Sequence, residues 1–429
     1  MSTTSVSLKT LHFLLQHMEA NKRFEICQRC PALREFEKSV PLKIKSLVLK
    51  ESYVAVNDTV YKLGIIRKCK VGEAPRYVTY ANEMGGYSYE VDAYGIRDEA
   101  DRLTATPGDV VINQHGEQVM FNEDERIGEL EDLIRFGEAE IANLRGRRRS
   151  CRNLEKVNRI EEVMKDERSR ILEYQCRRDN IPSNYELFLQ LSKTQAVNEE
   201  KQETLEKYVH NKKYSEAMKQ LTTVLFGGRC SPIFVTRFEF LCMQGVIRLP
   251  VCLKLHIEQL MFGANFRTSV EVLAPILHES SYPLKKLVVH ILSNEQATSP
   301  IVNTAGILGI RVMFSDRLHI ISAITNPVVH FKIAELSERT SPLAELVEHW
   351  IESKRPLGYN YTFHYDYEPA FAIEMIDILK RLNGKPVDDE NVTIPMSEVT
   401  QLKVSYGPFP EFAPRSKWAF KFLTELIEH

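Results

Sequence analysis

Lys286-Leu-Val-Val-His-Ile291 and Val328-Val-His-Phe-Lys-Ile333 are two of the short apolar runs that recur through residues 253–429. Runs of this length, rich in β-branched residues, favour strands, and helix-like runs alternate with them. We therefore predict stacked β–α units with a parallel sheet, that is, a leucine-rich-repeat-like α/β solenoid over residues 230–429. The predicted strands are Leu253–Ile257, Lys286–Ile291, Gly309–Phe314, Val328–Ile333, Tyr359–His364 and one near Val404. The run Val270–Leu277 lies between the first two of them. The predicted helices are Asp316–Ile324, Leu343–Ile351, Ala370–Leu382 and Lys417–Ile427.

The overall composition indicates a soluble intracellular protein. The chain has 429 residues, 43% of them hydrophobic, and a formal net charge of −2. The near-neutral charge does not favour nucleic acid or an acidic membrane as a partner. No apolar run approaches the ~20 residues of a membrane-spanning helix. The eight cysteines are scattered and are interpreted as reduced thiols, so we expect a cytoplasmic or nuclear location.

The part of the chain before the predicted solenoid divides into three segments. Apolar residues at helical spacing predict a small helical element over residues 1–45, and alternating β formers predict an antiparallel β domain over residues 42–113. Asn57-Asp58 between two β-like runs is a hairpin signal. Heptad-like apolar spacing in a highly charged stretch predicts a helical hairpin or coiled-coil spacer over residues 123–222. The predicted fold class is therefore multi-domain α+β.

No motif in the chain indicates catalysis, a cofactor or a metal. Cys27-x-x-Cys30 lacks the second ligand pair of a zinc site, and we interpret it as two core thiols. The Arg145–Arg149 cluster stands without interleaved aromatic residues, which argues against nucleic-acid binding. Four histidines recur in predicted strands and are expected to be polar strand positions or part of a ligand-contacting face, namely His256, His290, His330 and His364. We expect a protein that is not an enzyme.

Several stretches resemble the F-box C type proteins of nematodes. Near the N-terminus they are Leu8–Leu11, Leu15–Arg23, Arg29–Arg34 and Pro41–Ile44, followed by Asn57–Tyr61 and Leu63–Arg67. Asn82–Gly86, Asp92–Gly95 and Thr106–Asp109 are similar to the same family's small domain of unknown function. The resemblance is looser in the C-terminal region, through Leu249–Val251, Ser280–Leu284 and Trp350–Ile351.

The resemblance implies that the N-terminal helices dock a Skp1-like adaptor and thereby a cullin ubiquitin ligase. The adaptor-contact candidates that it implies are Leu8, Leu11, Leu15, Met18 and Leu33. Residues 1–45 lack the Leu-Pro opening and the Trp of a standard F-box. The alternative is that these helices pack on the neighbouring sheet, since an apolar helix stripe is more often core than interface.

Together, the pattern and the resemblance predict a protein-recognition subunit, a substrate receptor of a Skp1–cullin type ligase. The densest aromatic run is the expected target-binding strand, with Tyr359, Tyr361, Phe363 and Tyr365 as candidates. The alternative is an interaction scaffold without a ligase connection, which dimerises through residues 123–180.

Overall fold

A computed structural model provides the coordinates of the chain. It describes residues 7–98, 104–112, 122–146, 151–195, 202–242, 245–263, 270–291, 293–313, 320–321, 323–333, 342–353, 355–365, 382, 384–388, 391–407 and 418–427. The chain divides into two compact units. Unit 1 comprises Met1–Val48, Arg229–Met243 and Lys254–His429, and unit 2 comprises Leu49–Gly228 and Gln244–Leu253.

The described α-helices and strands are numbered in chain order. The helices are α1 (Leu8–His17), α2 (Ala20–Arg29), α3 (Arg34–Ser39), α4 (Arg76–Glu83), α5 (Glu123–Gly146), α6 (Cys151–Arg178), α7 (Tyr214–Phe226), α8 (Asn294–Ala297), α9 (Pro300–Asn303) and α10 (Pro342–Glu352). The strands are β1 (Lys43–Lys50), β2 (Tyr53–Val56), β3 (Thr59–Cys69), β4 (Val110–Ile112), β5 (Tyr185–Gln195), β6 (Gln202–Val209), β7 (Ile233–Phe240), β8 (Gly245–Ile247), β9 (Leu255–Phe262), β10 (Lys286–Val289), β11 (Ile307–Met313), β12 (Val328–Ile333), β13 (Asn360–Tyr365), β14 (Lys385–Pro386), β15 (Asn391–Pro395), β16 (Thr400–Gly407) and β17 (Trp418–Leu426).

Unit 1 is built on a mixed sheet. Its strand order is β14-β15-β16-β17-β13-β12-β11-β10-β9-β7-β1. Neighbouring strands from β7 to β13 are parallel, and those from β13 through β17 to β14 are antiparallel. Trp350 of α10 packs edge-on against Tyr361 of β13. In β7 and β9 buried residues alternate with more exposed ones, so one face of these strands carries most of the buried side chains.

The predicted solenoid is wrong. In a solenoid each repeat contacts only the repeats next to it in sequence, whereas here β17 lies between β13 and β16 in an antiparallel arrangement. The run predicted as the helix Lys417–Ile427 is strand β17, because Phe420, Phe422 and Thr424 alternate into the core with the period of a strand.

The other predicted elements in this region have different outcomes. In the run Val270–Leu277, residues Val270–Leu273 form a turn of 3-10 helix. The helix predicted over Ala370–Leu382 lies outside the described residues except for its last one, and so does most of Asp316–Ile324. The strands predicted around residues 286, 309, 328 and 359 correspond to β10, β11, β12 and β13.

Unit 2 contains an antiparallel sheet and a pair of long helices. The sheet has the order β2-β3-β5-β6, and β4 pairs with β8. The hairpin predicted at Asn57-Asp58 forms between β2 and β3, with Asn57 at φ 55°. Helices α5 and α6 pack against each other along a seam that includes Ile141, Leu144, Val157 and Met164.

The predicted helical spacer over residues 123–222 is wrong between α6 and α7. Residues 185–195 and 202–209 are strands β5 and β6, and β5 pairs with β3 over eleven residues, from Thr59↔Gln195 to Cys69↔Tyr185. Leu187, Leu189 and Leu191 recur at every second position, which is the period of a strand. Among the described helices, none is both long enough and apolar enough to cross a bilayer.

Candidate partner-binding surface

Helix α1 carries apolar side chains that unit 1 does not cover. The Ser7 hydroxyl accepts a hydrogen bond from the Thr10 amide at 3.2 Å and thereby caps the start of the helix. Leu15 faces the core with 1% of its surface exposed, whereas Leu8, Phe13 and Leu14 are exposed by 71%, 61% and 47%. We call Leu8, Phe13 and Leu14 the α1 surface. A helix whose apolar residues extend beyond its buried stripe has a surface suited to a partner.

Helices α2 and α3 are joined by a buried ion pair. The Glu19 carboxylate caps α2 by accepting from the amides of Asn21 at 2.8 Å and Lys22 at 3.2 Å. The Arg23 guanidinium donates from Nε to Glu37 Oε1 at 2.8 Å. It also donates to main-chain oxygens that follow α3, Pro41 at 2.7 Å and Val40 at 2.8 Å. One side chain therefore fixes where α2, α3 and the next segment lie.

The Glu37 carboxylate has a second cationic partner. Arg229 Nη2 donates to both oxygens of Glu37, at 3.0 and 3.1 Å. Burial and the positive charges of Arg229 and Arg34 lower the pKa of Lys38, which lies next to Glu37 on α3. The cluster thus holds more positive than negative charge, and Glu37 supplies the carboxylate that compensates Arg23 and Arg229. We call Arg23, Glu37 and Arg229 the Glu37 cluster.

The two cysteines of the Cys27-x-x-Cys30 pair differ in exposure, so the interpretation as two core thiols holds for Cys27 and is wrong for Cys30. Cys27 is buried and Cys30 is exposed. Burial and the charge of Glu37 raise the pKa of the Cys27 thiol, so it stays protonated at neutral pH. In the parts of the chain that the structure describes, no group of three or more histidine, cysteine or acidic side chains is placed to hold a metal ion.

The five adaptor-contact candidates differ in exposure. Leu8 is exposed, Leu15 is buried, and Leu11, Met18 and Leu33 are half-buried. Sequence reasoning missed Phe13 and Leu14, which lie off the 3–4 apolar stripe of α1. Both are apolar residues outside the buried stripe of an amphipathic helix, and this position in the sequence could have indicated that they are exposed.

The predicted target-binding strand is β13, and it lies inside the sheet of unit 1. Tyr361 and Phe363 are buried, and Phe363 stacks on Phe331 with ring centroids 4.5 Å apart. Tyr359 is half-buried, and the side chain of Tyr365 lies outside the described part of the chain. Burial of Tyr361 and Phe363 leaves these two side chains without surface for a target.

Two of the strand histidines face each other. His364 Nε2 of β13 lies 3.4 Å from His330 Nδ1 of β12. Burial and the charges of neighbouring residues, His364 and lysines 286 and 421, lower the pKa of His330 to about 4. Burial and Lys332 lower the pKa of His364 to about 4 as well. Both rings are therefore neutral at pH 7.

This pair predicts an acid-dependent loss of stability. Between pH 6.5 and about 4 the unfolded chain binds protons that the folded pair does not, so the free energy of unfolding decreases as the pH falls through this range. We expect urea-unfolding midpoints to decrease from pH 6.5 to 5, and to decrease less in His364→Gln. His349→Gln, at an exposed position, controls for the substitution itself. The prediction is contradicted if the urea-unfolding midpoint depends on pH equally in His364→Gln and in the unsubstituted chain.

Comparison with known proteins gives one match. Residues 213–367 are similar to a family described as a domain of unknown function (DUF3557). The matched stretch contains α7 and the parallel strands from β7 to β13, and it leaves out α1, α2 and α3. No curated protein and no solved structure matches the chain.

Proposed function

We propose that this chain is a protein-recognition subunit without catalytic activity, and that its N-terminal helices dock a Skp1-like adaptor of a cullin ubiquitin ligase. The exposed apolar α1 surface is the observation that carries the proposal. The resemblance of residues 8–44 to the F-box C type proteins of nematodes supports it. In this proposal the remainder of the chain holds the protein target.

The energetics favour α1 as the anchor of the proposed contact. Full burial of a Leu or Phe side chain stabilises a complex by roughly 1.5–3 kcal/mol before the costs of association. Phe13 and Leu14 are adjacent on α1 and contribute little to the core, so a partner would gain most from covering them. The Glu37 cluster fixes the neighbouring helices and thereby limits the ordering that binding would require.

The proposal predicts that Phe13→Ala/Leu14→Ala loses adaptor binding and keeps its stability. We expect affinity for a purified Skp1-like adaptor, measured by calorimetry, to fall at least about tenfold, equivalent to ~1.4 kcal/mol. The free energy of unfolding should decrease by only about 1 kcal/mol, because Phe13 is 61% and Leu14 is 47% exposed. Lys9→Ala/Gln16→Ala shortens two exposed polar side chains of the same helix and should bind normally.

Leu15 is unsuitable for this test because its burial couples binding to folding. If the unsubstituted chain does not bind the adaptor, or if Phe13→Ala/Leu14→Ala binds as tightly as the control, the α1 surface is not an adaptor site.

The alternative function, a self-associating scaffold, is supported by a different surface. Leu133 and Phe136 of α5 are exposed by 55% and 73%, while the seam between α5 and α6 is filled within the chain. Sedimentation of the same samples discriminates between the two functions. A monomer that binds the adaptor supports the recognition subunit, whereas a stable dimer that does not bind favours the scaffold.

A further inference from the structure

One exposed serine of unit 1 lies between two imidazole rings. Ser280 belongs to a turn of 3-10 helix, Glu279–Ser281, and is exposed. Its Oγ lies 2.7 Å from Nδ1 of His256 on β9 and 2.7 Å from Nδ1 of His278, the residue before the turn. The ring of His256 also packs against Phe234, with centroids 5.0 Å apart. Distances of this length are those of well-formed hydrogen bonds, so both imidazoles bond to the same hydroxyl.

The residue after Ser280 fixes this turn against β9. Ser281 is 3% exposed. Its Oγ accepts a hydrogen bond from the Ile257 amide at 3.0 Å and donates to the Leu255 carbonyl at 3.2 Å. These two bonds reach the main chain on both sides of His256, so they hold Ser280 beside that ring.

Hydrogen bonding assigns different roles to the two imidazoles. A serine hydroxyl has one proton to donate and two lone pairs that accept. One ring therefore takes the Oγ proton, and the other donates its Nδ1–H to Oγ. The Ser280 amide also donates to His278 Nδ1, at 3.3 Å, which requires a lone pair on that nitrogen. His278 is therefore the acceptor of the Oγ proton, and His256 donates to Oγ.

The arrangement around Ser280 is the one that activates a serine as a nucleophile. A hydroxyl is a weak nucleophile until an adjacent base takes its proton, and an imidazole is the base that proteins use most often. Such assistance accelerates attack by roughly 10²–10⁴-fold. The bond from His256 occupies one lone pair of Oγ and leaves the second for attack. Because Ser280 is exposed, a small electrophile can reach it.

We propose that Ser280 is a nucleophile that accepts an acyl group from an activated ester, with His278 as its general base. Oγ forms a bond to the acyl carbon, the bond from that carbon to the leaving oxygen breaks, and the leaving group departs as an anion. The Oγ proton passes to His278 Nδ1 and from there to water. The product is an acyl ester of Ser280. A single transfer onto the chain requires no turnover, and the proposal does not depend on adaptor binding at α1.

The test treats the full-length chain with p-nitrophenyl acetate and locates the acetylated residues by peptide mass spectrometry. Ser397 is the control within the same chain, because it is exposed and its Oγ bonds to Thr400 Oγ1 at 2.7 Å. We expect Ser280 to be acetylated at least about tenfold faster than Ser397. Ser280→Ala should remove the acetyl group from the peptide that contains both Ser280 and Ser281, which identifies the reactive oxygen.

Two substitutions separate the roles of the imidazoles. Glutamine keeps a side-chain N–H donor but does not take up a proton. His278→Gln should therefore lower the acetylation rate of Ser280 at least about tenfold, whereas His256→Gln still donates to Oγ and should keep most of the rate. Hydrogen exchange of the Ile257 amide, which is bonded to Ser281, shows whether the turn stays in place in each variant.

The pH dependence of the unsubstituted chain provides a readout that needs no variant. From pH 8 to 9 the acetylation rate of Ser397 should increase about tenfold, because an unassisted hydroxyl reacts as its alkoxide. The rate at Ser280 should change little, because an imidazole base replaces hydroxide. The proposal is overturned if Ser280 and Ser397 are acetylated at the same rate or respond to pH alike. It is also overturned if His278→Gln, with its turn in place, reacts as fast as the unsubstituted chain.

Discussion

Replacing Arg67 with methionine is expected to destabilise unit 2 by about 3–5 kcal/mol, the range found when one partner of a buried ion pair is removed. Arg67 lies on β3 with a side chain that is 1% exposed, and Glu173 of α6, its ion-pair partner, is 11% exposed. Methionine fills a similar space but leaves the Glu173 carboxylate buried without its cation. The loss of the charge, and not of packing volume, therefore dominates the expected effect.

Three tyrosines surround the Arg67 guanidinium. Its Cζ lies 3.9 Å from the ring centroid of Tyr185, 5.6 Å from that of Tyr87 and 6.0 Å from that of Tyr77. Burial alone would lower the pKa of Arg67, but the Glu173 carboxylate and the tyrosines raise it above its usual value. The Tyr77 hydroxyl also donates to Glu173. The cation on β3 therefore contacts α4, α6 and β5, and its removal should weaken all three contacts.

The Arg67 side chain also depends on Gly95. Gly95 has a φ of +86°, and a Cβ atom at this position would lie 2.1 Å from Arg67 Cζ. Only glycine allows both the positive φ and the close approach.

The effect of Arg67→Met is measured by urea unfolding of the full chain, with Arg76→Met as the matched control. Arg76 pairs with Glu162, also on α6, but their side chains are 70% and 54% exposed. Water screens such a pair, and its removal should cost no more than ~1 kcal/mol. If Arg67→Met and Arg76→Met lower the free energy of unfolding equally, burial of the Arg67–Glu173 pair does not determine how much that pair contributes to stability.

Replacing Glu37 with glutamine is expected to destabilise unit 1 by about 3–5 kcal/mol. Glutamine keeps the shape of the side chain but removes the charge that Arg23 and Arg229 share. Both guanidiniums are buried, so two cations would be left with weaker, neutral hydrogen bonds. We expect faster hydrogen exchange of the α2 and α3 amides and a lower urea midpoint.

Glu25→Gln is the control for Glu37→Gln. Glu25 lies on α2 and pairs with Lys22 and Arg29, whose side chains are mostly exposed, so its loss should change stability by no more than ~1 kcal/mol. If amide hydrogen exchange in α2 and α3 is the same in Glu37→Gln as in the unsubstituted chain, the main-chain hydrogen bonds of Arg23 are sufficient to hold these helices.

Part of this architecture could be predicted from short stretches of sequence. The runs at residues 286–291 and 328–333 predicted β10 and β12 because short runs rich in β-branched apolar residues favour strands. The spacing of Leu8, Leu11 and Leu15 predicted α1, and Asn57-Asp58 predicted the turn between β2 and β3. These features depend on residues within one turn of a helix or one hairpin, so local sequence contains their physical cause.

Other features were decided only by contacts between distant residues. Lys417–Ile427 carries apolar residues compatible with a helix or a strand, and pairing with β13 and β16 selects the strand. Which apolar residues of α1 stay exposed depends on the elements of unit 1 that cover its other face. The Glu37 cluster and the Arg67–Glu173 ion pair also depend on contacts between distant residues. Glu37 pairs with Arg229, and Arg67 pairs with Glu173, across long separations in sequence. Local periodicity determined where strands and helices could form, and only tertiary packing decided which charges are buried together, because that choice depends on which surfaces exclude water.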